Sequence, residues 1–244
     1  MPQASVILAT YNRPRFLTQV FKYYAAQTFT DTELIILDDS EVGFDKDRIN
    51  NAQVRYCHVA QANLGAKLNA GIVMAESNII LKWDDDDFYG PRFIELALKR
   101  LGWIRNAIVS WTDFLVLLHG TLHWAHSAWR AGGTLCFYRD LWECARFRDV
   151  PAQVDGFFFQ DHALAMQLST ASIHPPAQVQ EQYILVRHGQ NTWQDYPGED
   201  SADAMIAKLP TYAKPIADVV GPDNADFYRG LEEPAKVDAE VVTE

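Results

Sequence analysis

An α/β fold on a mainly parallel sheet is predicted by three features of this 244-residue chain. Short, nearly continuous apolar runs stand at residues 4–9, 33–37, 54–58 and 79–83, the form taken by strands buried on both faces. Segments with helical spacing alternate with them at 14–24 and 63–75. Polar clusters follow three of the runs directly: Thr10-Tyr11, Asp38-Asp39 and Asp84 to Asp87. Sheets of this class bind ligands at the carboxyl ends of their strands, so one crevice is expected to gather all three clusters.

Taken in order, the first strand stops at Thr10, Asn12 is placed to cap a helix, and Pro14 suits that helix's first turn. Leu17, Val20, Phe21 and Tyr24 recur at the spacing that packs one helix face on a sheet. Leu64, Leu68 and Ile72 do the same in the second helix, and Phe93, Ile94, Ala97, Leu98 and Leu101 in a third over 91–101. The pattern then changes. Strands are expected at 107–110, 114–118, 121–124 and 132–138, with His119-Gly120 as a hairpin turn. A helix over 161–168, a last strand over 182–186 and a short helix over 201–209 complete the reading. Prolines 197, 210, 215, 222 and 234 argue against any longer element near the end. The boundaries expected are a domain over 1–195, divided near residue 100, and an extension over 196–244 with a loose acidic tail.

The run Asp84-Asp85-Asp86-Asp87 requires an explanation, because a buried-type strand delivers four like charges to one place. A divalent cation would relieve the repulsion. Oxygen ligands select a hard ion, Mn²⁺ or Mg²⁺, and such ions are commonly shared with substrate phosphates. An acidic turn ahead of the helix that Pro91 opens would look the same locally; the position after a strand favours the metal.

Composition excludes several classes. The 48% apolar content rules out general disorder, and a net charge of −11 argues against nucleic acid or anionic membrane as a general partner. Seven acids face only Arg229 and Lys236 across residues 223–244. Three cysteines without CxxC spacing suit a reducing compartment, and no apolar run approaches membrane-spanning length. A soluble cytoplasmic protein is expected.

The opening Thr10-Tyr11-Asn12-Arg13, the pair Asp38-Asp39, Asn63-Leu64-Gly65 with Lys67 and Asn69, the acidic DxD-type run and Gln160-Asp161 occur in an order that resembles glycosyltransferase family 2. The resemblance covers roughly residues 4–193. It implies the GT-A fold, a three-layer sandwich with a smaller antiparallel portion on the acceptor side. It also implies a nucleotide diphosphate sugar donor, a UDP-sugar foremost, a carbohydrate or other hydroxyl acceptor, and a Mn²⁺ or Mg²⁺ cofactor.

By position, the resemblance assigns Thr10, Tyr11, Arg13, Asp38, Asp39, Lys67, Asp84 and Asp85 to the nucleotide, with Tyr11 stacking and Asp39 accepting a hydrogen bond from a pyrimidine. Asp86 and His188 become metal ligands. Arg187 is an alternative contact for the diphosphate, and Asp85 or Asp87 for ribose or sugar. Asp161 is the general base, although Gln160 stands where the family commonly has Glu. Trp124 and Trp129, beside polar neighbours, are candidates for an acceptor platform, since sugar C–H faces pack on aromatic rings. Two other readings use the same acids: a silent nucleotide-sugar-binding module, and a nucleotidyltransferase or phosphohydrolase. The latter lacks the expected glycine-rich basic loop near the N-terminus.

Overall fold

The computed structural model describes residues 1–126, 129–166, 169–173, 180–189, 191 and 200–232. A central sheet of seven strands carries the molecule: β1 (Ala4–Thr10), β2 (Thr32–Asp38), β3 (Val54–His58), β4 (Ile79–Trp83), β6 (Ala107–Trp111), β9 (Cys136–Tyr138) and β10 (Ser169–Ile173). Their order is β10-β6-β9-β4-β1-β2-β3, and β9 alone runs against its neighbours. A second sheet, in the order β5-β11-β7-β8, joins β5 (Phe88–Tyr89), β7 (Asp113–Leu118), β8 (Thr121–His126) and β11 (Tyr183–Val186).

Strand periodicity divides the interior in two. Val6, Leu8, Leu34 and Ile36 point into one core with α1 (Pro14–Ala25) and α3 (Phe93–Leu101), and the second sheet. Ile7, Ile35 and Leu37 point into another, with α2 (Leu64–Met74), α4 (Arg139–Cys144) and α5 (Val154–Met166). Both faces of the sheet are covered, which is why its strands read as continuous apolar runs and why the layers number three. The packing is close where α2 crosses: a Cβ on Gly65 would lie 1.8 Å from the Arg148 carbonyl oxygen, a backbone atom. Gly65→Ala is therefore expected to destabilise the protein by about 1–3 kcal/mol despite the better helix former. A melting temperature equal to or above wild type would refute that close-packing account.

Several expectations need correction. Asn12 does not cap α1; it adopts φ 52°, and Arg13 holds the cap position without a side-chain bond. Residues 132–138 do not form one strand, because Thr134 Oγ donates to the Ala131 carbonyl at 2.6 Å and Gly132–Thr134 closes into a 3₁₀ turn before β9. The helix expected from Asp161 begins at Val154, whose register buries Val154, Phe158 and His162 one above another. The run Phe157-Phe158-Phe159 had hidden that spacing. His119-Gly120 forms the expected tight turn, both residues having positive φ.

The C-terminal part is more ordered than its prolines suggest. Pro222 opens α8 (Pro222–Glu232), a tolerated position because a first-turn residue has no helical N–H bond to lose. This helix lies on α1, with the Tyr23 and Tyr228 hydroxyls 2.6 Å apart in the interior and Phe227 edge-on to Phe16. Two shorter helices precede it, α6 (Ala202–Ala207) and α7 (Ile216–Val220). The acidic stretch beyond Glu232 lies outside the described residues, as do residues 167–168 of the expected helix.

Candidate active site

The carboxyl ends of β1, β2 and β4 open into one cleft of about 1490 Å³, bounded across from them by Trp129 to Gly133, the first turn of α5 and β11. Thr10, Tyr11, Arg13, Asp39, Lys67 and the whole of Asp84 to Asp87 line it, so the three polar clusters do converge.

At the β1–β2 end, the buried Lys67 ammonium donates to Asp39 Oδ1 at 2.5 Å and to the Thr10 carbonyl at 2.8 Å. Asp39 Oδ2 accepts from the Ala62 N–H at 3.0 Å. Lys67 is thus a pillar between β1, β2 and α2 as well as a wall of the cleft. Tyr11 stands 44% exposed beside it, a free ring face for a planar ligand. Asp38, expected to share the nucleotide contact, does not line the cleft. Its carboxylate is occupied by the Tyr56 hydroxyl at 2.6 Å, the Ser40 N–H at 2.9 Å and the Ser40 hydroxyl, because neighbouring residues leaving a strand point to opposite sides.

The four consecutive acids each have protein partners, so their repulsion is met by the chain itself. Asp84 takes the Lys82 ammonium at 2.6 Å. Asp85 takes the Thr10 hydroxyl at 2.6 Å and Arg13 Nη1 at 2.7 Å. Asp86 Oδ2 takes Arg13 Nη1 at 3.0 Å, His188 Nε2 at 2.9 Å and Asn191 Nδ2 at 3.2 Å. Asp87 takes the Tyr183 hydroxyl at 2.5 Å and the Val186 N–H at 3.0 Å, which ties β11 to the end of β4. The acids are not equivalent. Burial, reinforced by the neighbouring Asp86 charge, pushes Asp85 up to about 6 and Asp87 well above the usual carboxylate range. Against the same burial, the His188 hydrogen bond and the Arg13 charge hold Asp86 below that range.

Asp86 and His188 therefore offer one ionised carboxylate and one imidazole side by side, with Asp86 on the cleft and His188 behind it against Phe16. Among the described residues no three His, Cys, Asp or Glu side chains gather at one point. This donor set fits Mn²⁺ or Mg²⁺ only when phosphate oxygens and water complete the shell. Asp84, the other half of the DxD pair, is turned to Lys82 instead.

Of the two tryptophans expected at an acceptor platform, Trp129 lines the cleft and Trp124 does not. Asp161 is also absent from the lining. Both its oxygens are held by Arg148, at 2.9 Å to Nε and 2.6 Å to Nη2, and this pair keeps the carboxyl below its ordinary range. Asp155, six residues earlier on α5, does line the cleft. Its Oδ1 lies 3.3 Å from Lys82 Nζ, so a single buried ammonium serves both Asp84 and Asp155. Lys82 had a visible signal, a charge inside the otherwise apolar Ile79–Trp83 run. Nothing in the sequence pointed to Asn191, which is placed on Asp86 by a bond to the Val186 carbonyl at 2.7 Å. Arg187 lines the cleft while its Nε donates to Asp203 at 2.8 Å.

Residues 5–139, more than half of the chain, match the family described as Glycosyl transferase family 2. The chain belongs to glycosyltransferase family 2. The matched region of this family 2 member holds β1 to β9 and ends before Asp155, Asp161 and His188. Among its relatives are an uncharacterized glycosyltransferase, alr2836, of a Nostoc strain, 29% identical over 39% of this chain and 31% of its own length. The chondroitin synthase of Escherichia coli is 28% identical over 40% of this chain and 15% of that protein. The chain thus spans a third or less of either. Its fold is that of TarS residues 1–349 of S. aureus, solved with UDP-GlcNAc: TM-score 0.61, 15% identity, 78% of this chain and 60% of that one. The mannosyltransferase PcManGT of Pyrobaculum calidifontis, solved with GDP-Man and Mn²⁺, superposes with TM-score 0.55 at 17% identity, over 76% of this chain and 56% of that one. The GT-A expectation holds. Among the described residues no helix is long and apolar enough to cross a membrane.

Proposed function

We propose that this family 2 member transfers a sugar, with inversion, from a nucleoside diphosphate sugar to an acceptor hydroxyl. The observation that carries the reading is one cleft lined by the exposed Tyr11 ring and Asp39 and by a carboxylate, Asp86, that accepts from the His188 imidazole. Tyr11 stacks on the base, Asp39 accepts from it, and Arg13 and Asp85 sit between base and diphosphate. Asp86 and His188 hold the divalent ion, which when bound supplies Lewis-acid stabilisation of charge developing on the leaving diphosphate. A carboxylate must take the acceptor's proton. Asp161 is the family's expected choice, but it would first have to leave Arg148.

The named relatives support the donor class, since one structure holds UDP-GlcNAc and another GDP-Man. Calorimetry of UDP and GDP with Mn²⁺, followed by nucleoside diphosphate release from the matching sugars, tests the reading. Binding without release under any metal would leave a binding module in its place.

Within this reading, Asp39 selects uridine. Asp39→Asn keeps the shape of the carboxylate but presents an amide donor, and is expected to weaken UDP by about 1–3 kcal/mol. Equal affinity of the wild-type protein for UDP and GDP would count against the assignment.

A further inference from the structure

We propose that Phe227 of the C-terminal helix α8 is a positioning residue: by bracing Phe16 it fixes His188 and Arg13, two of the side chains that hold Asp86 in place for the divalent ion. The inference rests on the transferase reading above. It assigns a role in the site to a helix that lies outside residues 5–139, the segment matched by the family.

Two donors to Asp86 share one support. The Phe16 ring, buried in the first turn of α1, has its centroid 5.0 Å from that of the His188 imidazole, and the Arg13 guanidinium carbon lies 5.8 Å from the same ring centroid. His188 Nε2 and Arg13 Nη1 meet on one oxygen, Asp86 Oδ2, at 2.9 and 3.0 Å. An imidazole confined by a carboxylate at one nitrogen and by an aromatic ring beside it has few orientations left. Such outer contacts set how well a side chain ligates a metal.

Phe16 is itself braced by Phe227, whose ring meets it edge-on at 84° with centroids 5.7 Å apart. Polar contacts seat α8 so that this brace is firm. The Tyr228 and Tyr23 hydroxyls lie 2.6 Å apart, Gln19 Nε2 donates to Asn224, and Arg15 Nη2 donates to the Gly230 carbonyl at 3.2 Å. Truncating Phe227 opens a gap beside Phe16 while these anchors remain. The Phe16 ring can then tilt, and His188 and Arg13 lose their common wall.

The test titrates UDP and GDP by calorimetry, each with and without Mn²⁺, into the full chain and its Phe227→Ala, Phe16→Leu and Tyr228→Phe variants, with a melting temperature for each. Phe227→Ala is expected to lose about 2–30-fold of the tightening that Mn²⁺ gives the nucleotide, with metal-free nucleotide affinity at the wild-type level. Phe16→Leu removes the shared ring itself and should show the same loss, which keeps the test open if Phe227→Ala does not fold. Tyr228→Phe removes the paired hydroxyl and keeps the Phe227 ring, so it should lower the melting temperature and leave the tightening intact. Undiminished tightening in a folded Phe227→Ala or Phe16→Leu protein, or an equal loss in Tyr228→Phe, overturns the inference and leaves the transferase reading standing. Failure of the wild-type protein to bind either nucleotide overturns that reading, and this inference with it.

Discussion

Replacement of Asp86 by Ala is expected to abolish the coupling between divalent-ion and nucleoside diphosphate binding. In the wild-type protein each should tighten the other by about 5–150-fold, the usual range for two ligands whose binding is coupled. Asp86 carries this expectation because three donors converge on its Oδ2: Arg13, His188 and Asn191. It is also the one member of the run held below the ordinary carboxylate range, by His188 and Arg13 acting against burial. Removing it takes away the charged ligand and leaves His188 alone. Titrations of UDP and GDP, each with and without Mn²⁺, measure the effect. If the Asp86→Ala protein keeps the wild-type tightening, Asp86 does not hold the ion.

The largest stability effect is expected at Lys82. Its ammonium is 2% exposed and lies between Asp84 and Asp155. Burial alone would depress its protonation, yet Asp155 and Asp84 together raise it above the usual lysine range. Lys82→Met leaves two carboxylates facing each other with no counter-charge, a change that costs roughly 3–5 kcal/mol for a buried pair broken from one side. For a chain of this size that corresponds to a fall in melting temperature of roughly 6–20 °C. Neutralising the stranded acids as well, in Lys82→Met with Asp84→Asn and Asp155→Asn, should recover most of the loss. A single variant that melts with wild type, or a triple variant no better than the single, would show that the ammonium does not stabilise this cluster.

Much of the first half of the chain was legible because its signals are local. Buried parallel strands must be apolar on both faces, so β1, β2 and β4 stand out as unbroken runs, and the polar residues that end them mark the carboxyl edge of the sheet. The second half was harder to read. α5 carries three consecutive phenylalanines, 157–159, that obscure its period, and β10 is a short, small-residue strand held by its parallel pairing to β6. Pro222 looked like an interruption and proves to be a helix start, since proline is unfavourable inside a helix but not in its first turn.

The order of motifs along the chain, the α/β class and the meeting of Thr10, Asp39 and Asp84 to Asp87 at one sheet edge were all determined by the sequence, through strand periodicity and the rule that such sheets bind ligands where their strands end. Partnership was decided only in three dimensions. Whether four adjacent acids need a metal depends on which cations the fold delivers to them, and Arg13, Lys82 and His188 come from as far as 102 residues away. The same holds for the two acids of α5. Six residues along a helix turn a side chain to a different face, so Asp155 meets the cleft while Asp161 meets Arg148, a distinction set by how the helix is seated on the sheet.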